Sequence, residues 1–225
     1  MAYLKIENLE KTFESQGVFT PVLRGVSFEI AKGEKICIWG ASGAGKSTLL
    51  HILGALDRPT KGRIFFNNEN IFSLNEKQLA HFRNHKLGFI FQFHHLLPDF
   101  TALENVMMPL LIRGTSKKES QQRASSWLGK VGLNKREGHW PSQLSGGEQA
   151  RVALARAVVG EPELVLADEP TGNLDEQNGA KIFDLLLSLN EELKTTLVVV
   201  THNEHLSKKL ERKVHLVDGK IQEIF

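Results

Sequence analysis

The run Gly40-Ala41-Ser42-Gly43-Ala44-Gly45-Lys46-Ser47, followed by Thr48, has the spacing G-x-x-x-x-G-K-[ST]. Each residue type there has a chemical use. Glycines let successive backbone N–H groups converge on an anion, and a helix opening at the end of the loop adds the positive end of its dipole. Lys46 brings a mobile charge to the outer phosphates of a polyphosphate, and the Ser47 hydroxyl suits Mg²⁺, a hard cation. Alone, such a loop indicates a nucleoside triphosphate and no more, because kinases and GTPases share it.

Two carboxylates extend that chemistry. The apolar run "LVLAD" ends on Asp168 and is followed at once by Glu169. In an open α/β sheet, ligands gather at the carboxyl ends of the strands. Asp168 is expected to orient Mg²⁺ through its waters. Glu169 is expected to position an attacking water or take its proton, a role worth about 10²–10⁴ in rate.

A further stretch, "LSGGE" from Leu144 to Glu148, needs its own explanation. Ser145 and Glu148 match the S/T-x-x-E capping box, but Gly146 and Gly147 weaken a helix's first turn by about 1 kcal/mol each relative to alanine. A serine hydroxyl and two glycines at a helix N-terminus make a second phosphate-binding surface. The first loop already holds one nucleotide, so this surface is expected to serve a nucleotide held by another copy of the chain.

The elements around these residues alternate in character. "VSFEI" and "KICIWG" read as strands, with "KICIWG" leading straight into the glycine loop. "PTKGRIFFNNENI" reads as a hairpin, and Asp218-Gly219 marks another near the end. The capping pairs Ser73/Glu76, Thr101/Glu104 and Ser116/Glu119 punctuate a helical stretch. "ELVLADEP" and "TTLVVVTH" suit buried parallel strands. These patterns predict an α/β core interrupted by a mostly helical insertion over residues 93–158, with residues 1–92 and 159–225 forming the core of a single domain.

Composition narrows the classes. With 28 basic and 26 acidic residues the net charge is +2, against a dominant nucleic-acid or anionic-membrane footprint. The basic run Ser207–Lys213 is expected to be a solvated helix face. Cys37 is the only cysteine, within an apolar strand, so no intrachain disulfide forms and burial is expected. The charged start offers no signal core, and no apolar run approaches the ~18–20 residues of a spanning helix. The expectation is a cytoplasmic chain whose membrane contact comes through a partner.

In order and spacing, the motifs together resemble the ATP-binding subunits of ABC transporters, whose signature LSGGQ is here LSGGE followed by Gln149. The resemblance implies a P-loop NTPase core with a mostly parallel sheet, an antiparallel β subdomain and an inserted helical subdomain. It implies a head-to-tail homodimer, each ATP lying between one copy's phosphate loop and the other's Ser145, Gly146, Gly147 and Glu148. It assigns Gln92 to magnesium, attacking water and coupling, Asp175 to the dimer interface, His202 to the γ-phosphate, and Phe13 to adenine stacking. Ala44, Phe13 and Ala150 depart from commoner family residues without removing a catalytic group.

The stretch "FHHLLPDFTALENV" and "PTGNLD" resemble the ATPases of lipoprotein-releasing systems of Gram-negative bacteria. That group acts at the cytoplasmic face of the inner membrane through polytopic partners of the LolC/LolE type. A macrolide or peptide exporter ATPase, or a cell-division ATPase that moves no substrate, fits the same motifs. Phe93, Leu96, Leu97, Met107, Met108, Leu110 and Leu111 are either core of the insertion or a groove for a partner's helix. His94 and His95 are expected to be loop residues rather than metal ligands.

Overall fold

The computed structural model describes residues 2–225, which divide into two compact units, 2–83 with Thr196–Phe225, and Asn84–Thr195. In chain order the elements are β1 (Leu4–Ser15), β2 (Val18–Ile30), β3 (Lys35–Trp39), α1 (Lys46–Leu53), β4 (Lys61–Phe66), β5 (Glu69–Asn70) and α2 (Glu76–Lys86). Next come β6 (Leu87–Phe91), α3 (Ala102–Ile112), α4 (Lys117–Lys130), α5 (Gly146–Val158), β7 (Leu164–Asp168) and α6 (Glu176–Leu193). The chain then returns to the first unit through β8 (Thr196–Thr201), α7 (Glu204–Ser207), β9 (Arg212–Val217) and β10 (Lys220–Ile224).

The first unit holds an antiparallel sheet in the order β2-β1-β4-β5. Gln16 and Gly17, at φ 50° and 78°, turn β1 into β2, the left-handed pair whose twist matches a tight hairpin. Asn67 and Asn68 do the same between β4 and β5, so the hairpin expected around Phe66 forms. Val26, Phe28 and Ile30 of β2 are buried in the period-2 alternation of a sheet with one covered face; Leu4 and Ile6 of β1 follow it, and a register shift at Asn8, φ 45°, brings Leu9 to the same face.

Its other strands run β10-β9-β3-β8, with β3 parallel to both β8 and β9. Ile36, Cys37 and Ile38 have no exposed surface, and every residue of β8 is buried, as expected of strands covered on both faces. Asp218 and Gly219 close the β9–β10 hairpin at φ 46° and 75°. A Cβ on Gly219 would sit 2.2 Å from the Val22 carbonyl oxygen, so glycine is required there by both space and conformation.

In the second unit β6 pairs parallel with β7, Phe91 opposite Asp168. Helices α3, α4 and α5 pack together, and α5 also meets β6 and α6. The alanines of α5, Ala150, Ala153, Ala155 and Ala157, are buried and permit this close approach. A Cβ on Gly88 of β6 would lie 2.3 Å from the Ala157 carbonyl oxygen. The division drawn at residues 93–158 takes in α3–α5; the compact unit groups β6, β7 and α6 with them.

Two local expectations give way. Ser73 does not cap α2: its hydroxyl donates to the Asn70 carbonyl in a 3₁₀ turn, and Glu76 pairs with Arg58 instead. The box is formed two residues later by Asn75 and Gln78, each accepting the other's backbone N–H. The basic run 207–213 is not a helix face either. Helix α7 ends at Ser207, Leu210 is buried in the turn, and Arg212 enters β9 and pairs with Glu34 at 2.8 Å.

Candidate functional site

The glycine loop leaves β3 at Trp39 and enters α1 at Lys46. Gly43 and Gly45 lie at φ 80° and 99°, and the Ala44 N–H closes a turn on the Ala41 carbonyl at 3.2 Å. A Cβ on Gly40 would fall 2.1 Å from the Leu216 carbonyl oxygen. Gly45, the N-cap of α1, has no side chain to satisfy the helix's first N–H groups. Those donors, with Ser42, Gly43 and Ser47 exposed and Thr48 half-buried beside them, form a cradle that an anion completes. Lys46 is buried, and its Nζ donates to the Gly40 and Ala41 carbonyls at 2.8 and 2.9 Å. The ammonium is therefore held inside the loop by two of the loop's own carbonyls.

Two further candidates belong to the same unit. Phe13, on β1 opposite Thr20, is 44% exposed, with the Lys11 ammonium 4.7 Å from its ring centre. Lys11 is itself fixed by Asp57 at 2.7 Å. An aromatic face left open to solvent in this way is available for stacking. His202 follows the last residue of β8 and is exposed, while Asn203 beside it caps α7 through the N–H groups of His205 and Leu206.

The second unit carries the carboxylates. Asp168 ends β7, whose preceding residues Leu164–Ala167 are fully buried. Glu169 adopts φ 44°, an uncommon conformation for a non-glycine residue, immediately before Pro170. The Gly172 N–H donating to its carbonyl at 3.0 Å helps hold it. Backbone strain of this kind costs on the order of 1–3 kcal/mol and clusters at functional sites.

Gln92 follows β6 and is tied to the segment after Pro170. Asn173 Nδ2 donates to the Gln92 carbonyl at 2.8 Å, and Gln92 Nε2 reaches Asn173 Oδ1 at 3.4 Å. A Cβ on Gly172 would press on the Gln92 amide at 3.0 Å. Asp175 caps α6, taking the Asn178 N–H at 3.0 Å and the Asn178 side-chain amide at 2.6 Å. These hydrogen bonds, the Asn178 backbone N–H first, hold its carboxyl below the ordinary value.

Helix α5 opens with the capping box expected of Ser145 and Glu148, both halves present. Glu148 Oε2 accepts from the Ser145 N–H and hydroxyl, each at 2.9 Å. Oε1 accepts from Arg136 Nε at 2.8 Å. Arg136 first, then the two Ser145 donors, lower the Glu148 carboxyl to about 2. Gly146 approaches only Leu174, and a Cβ on Gly147 would meet nothing within 4 Å. Neither glycine has a positive φ. Packing among the described residues therefore does not ask for Gly147.

Residues not singled out in the sequence hold these segments in place. Arg156 of α5 donates to the carbonyls of His94 and His95, which sit at φ 58° and 46°. Burial brings Arg156 down to about 10, so it stays charged at neutral pH. His94 is buried with no partner on Nδ1, and burial lowers its pKa, leaving a neutral ring at pH 7. Asn105, fully buried, exchanges hydrogen bonds with Leu97 and donates to the Phe100 and Thr101 carbonyls. A polar residue on the apolar face of α3 was the available signal for Asn105. The apolar set nearby divides: Met107 and Leu110 are core, whereas Phe93, Leu97 and Leu111 are exposed, with Phe100 and Ile112 beside them in sequence.

Comparison with known proteins gives these arrangements a family. Residues 23–172 match the model of the ABC transporter family. A lipoprotein-releasing system ATP-binding protein LolD of Syntrophus aciditrophicus is 53% identical over 218 residues, 97% of this chain and 98% of that protein. The dimeric structure of MJ0796, described as a bacterial ABC transporter cassette, superposes with a TM-score of 0.91 at 41% identity, covering 99% of this chain and 97% of the other. The same cassette in a dimeric post-hydrolysis state, bound to ADP and Pi, matches equally, with the same score, identity and coverage. The glycine loop, the strand ending at Asp168 with Glu169 beyond it and the capped, glycine-opened α5 thus lie on a P-loop NTPase fold, and the chain belongs to the ABC transporter family as an ATP-binding, ATP-hydrolysing subunit closely related to the LolD-type ATPases.

Proposed function

We propose that two copies of this chain close head to tail on two ATP molecules and drive lipoprotein release from the inner membrane toward the outer membrane. The observation that carries the composite site is Gly147: the residue weakens α5, yet among the described residues nothing lies within 4 Å of where its side chain would begin. A surface kept bare at a helix N-terminus suits the phosphates of a nucleotide held by another copy. The dimeric MJ0796 cassette supports that arrangement by analogy, and the full-length kinship to LolD supports the lipoprotein reading.

In this reading the cradle of residues 40–48 holds the triphosphate and Lys46 contacts its outer phosphates. Phe13 stacks on adenine, and His202 contacts the γ-phosphate. Glu169 positions the attacking water and accepts its proton. The donor set for Mg²⁺ fits: the Ser47 hydroxyl, the Asp168 carboxylate and the Gln92 amide oxygen are the hard oxygen ligands that would hold such a cation. Held by those residues, such an ion would supply charge neutralisation at the phosphates. Asp175 meets the second copy. Closure and reopening pass through Gln92 to the helices, where exposed Phe93, Leu97 and Phe100 receive a segment of LolC/LolE-like membrane subunits at the cytoplasmic face. Among the described residues no helix is long and apolar enough to cross a membrane.

The test is co-purification of the Glu169→Gln chain from native membranes, read by mass spectrometry. Polytopic subunits with bound lipoproteins are expected. Recovery of exporter subunits, or of a cell-division membrane protein with peptidoglycan hydrolases, would keep the ATPase and overturn the lipoprotein role.

A further inference from the structure

The helix proposed to face a second copy's triphosphate opens on a carboxylate, that of Glu148. An acid in the first turn stabilises the helix through its dipole, but the same charge repels an approaching polyphosphate. Both oxygens of Glu148 are engaged from inside the chain. Oε2 faces the Ser145 N–H and hydroxyl, and Oε1 faces Arg136. The N–H groups of Gly146 and Gly147 lie in the first turn, beyond the reach of any intrahelical carbonyl, and remain as donors for an anion.

We propose that Arg136 is a positioning residue for the ATPase reaction: it neutralises Glu148 and holds that carboxylate turned back on Ser145, so that α5 presents donors without a repelling charge to the nucleotide of a second copy. The proposal rests on the composite-site reading above.

Arg136 is placed for this by local structure. It ends the 3₁₀ turn Asn134–Arg136, and its own N–H is fixed on the Leu133 carbonyl at 2.8 Å. Its Nη1 lies 3.4 Å from His139 Nε2. Glu148 is the more sheltered partner, at 17% side-chain exposure against 45% for Arg136. A guanidinium presents its donors in a rigid planar fork that can meet a carboxylate in a fixed direction, whereas a lysine ammonium at the same place is a point charge without that fork.

The experiment measures ATP turnover against ATP and chain concentration for the parent, Arg136→Ala, Glu148→Gln and the double variant, with calorimetric ATP affinity of the separate chain alongside. Arg136→Ala is expected to raise the ATP concentration for half-maximal turnover roughly tenfold, about the worth of one charge-assisted hydrogen bond. Affinity of the separate chain stays unchanged, because the Lys46 loop is untouched. Adding Glu148→Gln to Arg136→Ala removes the repelling charge and restores turnover to within about twofold of Glu148→Gln alone. Arg136→Lys, which keeps the charge, loses less than Arg136→Ala and guards against misfolding as the cause.

A double variant as impaired as Arg136→Ala, or an Arg136→Ala chain indistinguishable from the parent, overturns the role of Arg136. Parent turnover per chain that does not rise with chain concentration overturns the composite-site reading, and this proposal with it.

Discussion

Arg156 and His94 are joined by a hydrogen bond of 2.5 Å from the guanidinium Nη2 to the histidine carbonyl, and Nη1 reaches the next carbonyl, that of His95, at 2.7 Å. One planar side chain on α5 thus spans two residues held at positive φ, beyond Gln92. Strain of this sort persists only where the surroundings over-determine it. Replacing Arg156 with lysine leaves a point charge where a fork is needed. Arg156→Lys is expected to lower unfolding stability by about 1–3 kcal/mol. Urea denaturation measures it, and a midpoint equal to the parent's would refute the clamp.

The Glu148 carboxyl offers a pH readout. Its folded value of about 2 lies below the ordinary 4.5. The stabilisation from its hydrogen bonds is fully present above about 4.5 and is lost as pH falls through about 2. In Arg136→Ala the midpoint moves up toward the ordinary value, since Arg136 is the largest cause of the shift. Carbon-detected NMR titration of the Glu148 carboxyl follows both; a midpoint unmoved by the substitution would contradict the pairing.

Gly147 separates stability from function. Nothing lies within 4 Å of a Cβ there, and α5 is helical at that point. Gly147→Ala should raise stability by about 0.5–1 kcal/mol through helix propensity. It should also lower ATP turnover by more than tenfold if a second copy's phosphates need the bare backbone. Thermal melts and phosphate release test the pair of effects, and a stabilised chain with parental turnover would remove the glycine's proposed role.

Lys46 braces its own loop through the Gly40 and Ala41 carbonyls. Lys46→Ala removes the brace and the charge together. ATP affinity is expected to fall by at least tenfold, the worth of one charge-assisted hydrogen bond. Calorimetry reads it directly; unchanged affinity would refute the assignment.

What was legible in the chain was local. The phosphate loop, the capping boxes at Thr101 and Ser145 and the apolar strands around Cys37 and Val199 are short-range patterns whose physics lies within a few residues. Ser73 misled because a nearer competitor, Asn75, makes the same box with Gln78. The basic run at 207–213 misled because charge says nothing of where a helix ends: Leu210 is buried in the turn after α7, and Arg212 pairs with Glu34 from β9. Arg156 and Arg136 stayed hidden because their partners, the His94 and His95 carbonyls and the Glu148 carboxylate, are brought to them by folding rather than by a short sequence spacing. The positive φ of Glu169, before a proline, has no composition signal at all.

The central claim is that two copies of this chain complete each other's ATP sites, and light scattering of the Glu169→Gln chain tests it most directly. With saturating ATP and Mg²⁺ the account predicts a stable dimer that dissociates when the nucleotide is removed, and that Ser145→Arg abolishes. A chain that binds ATP by calorimetry yet remains monomeric, alone and with its membrane subunits present, would contradict it.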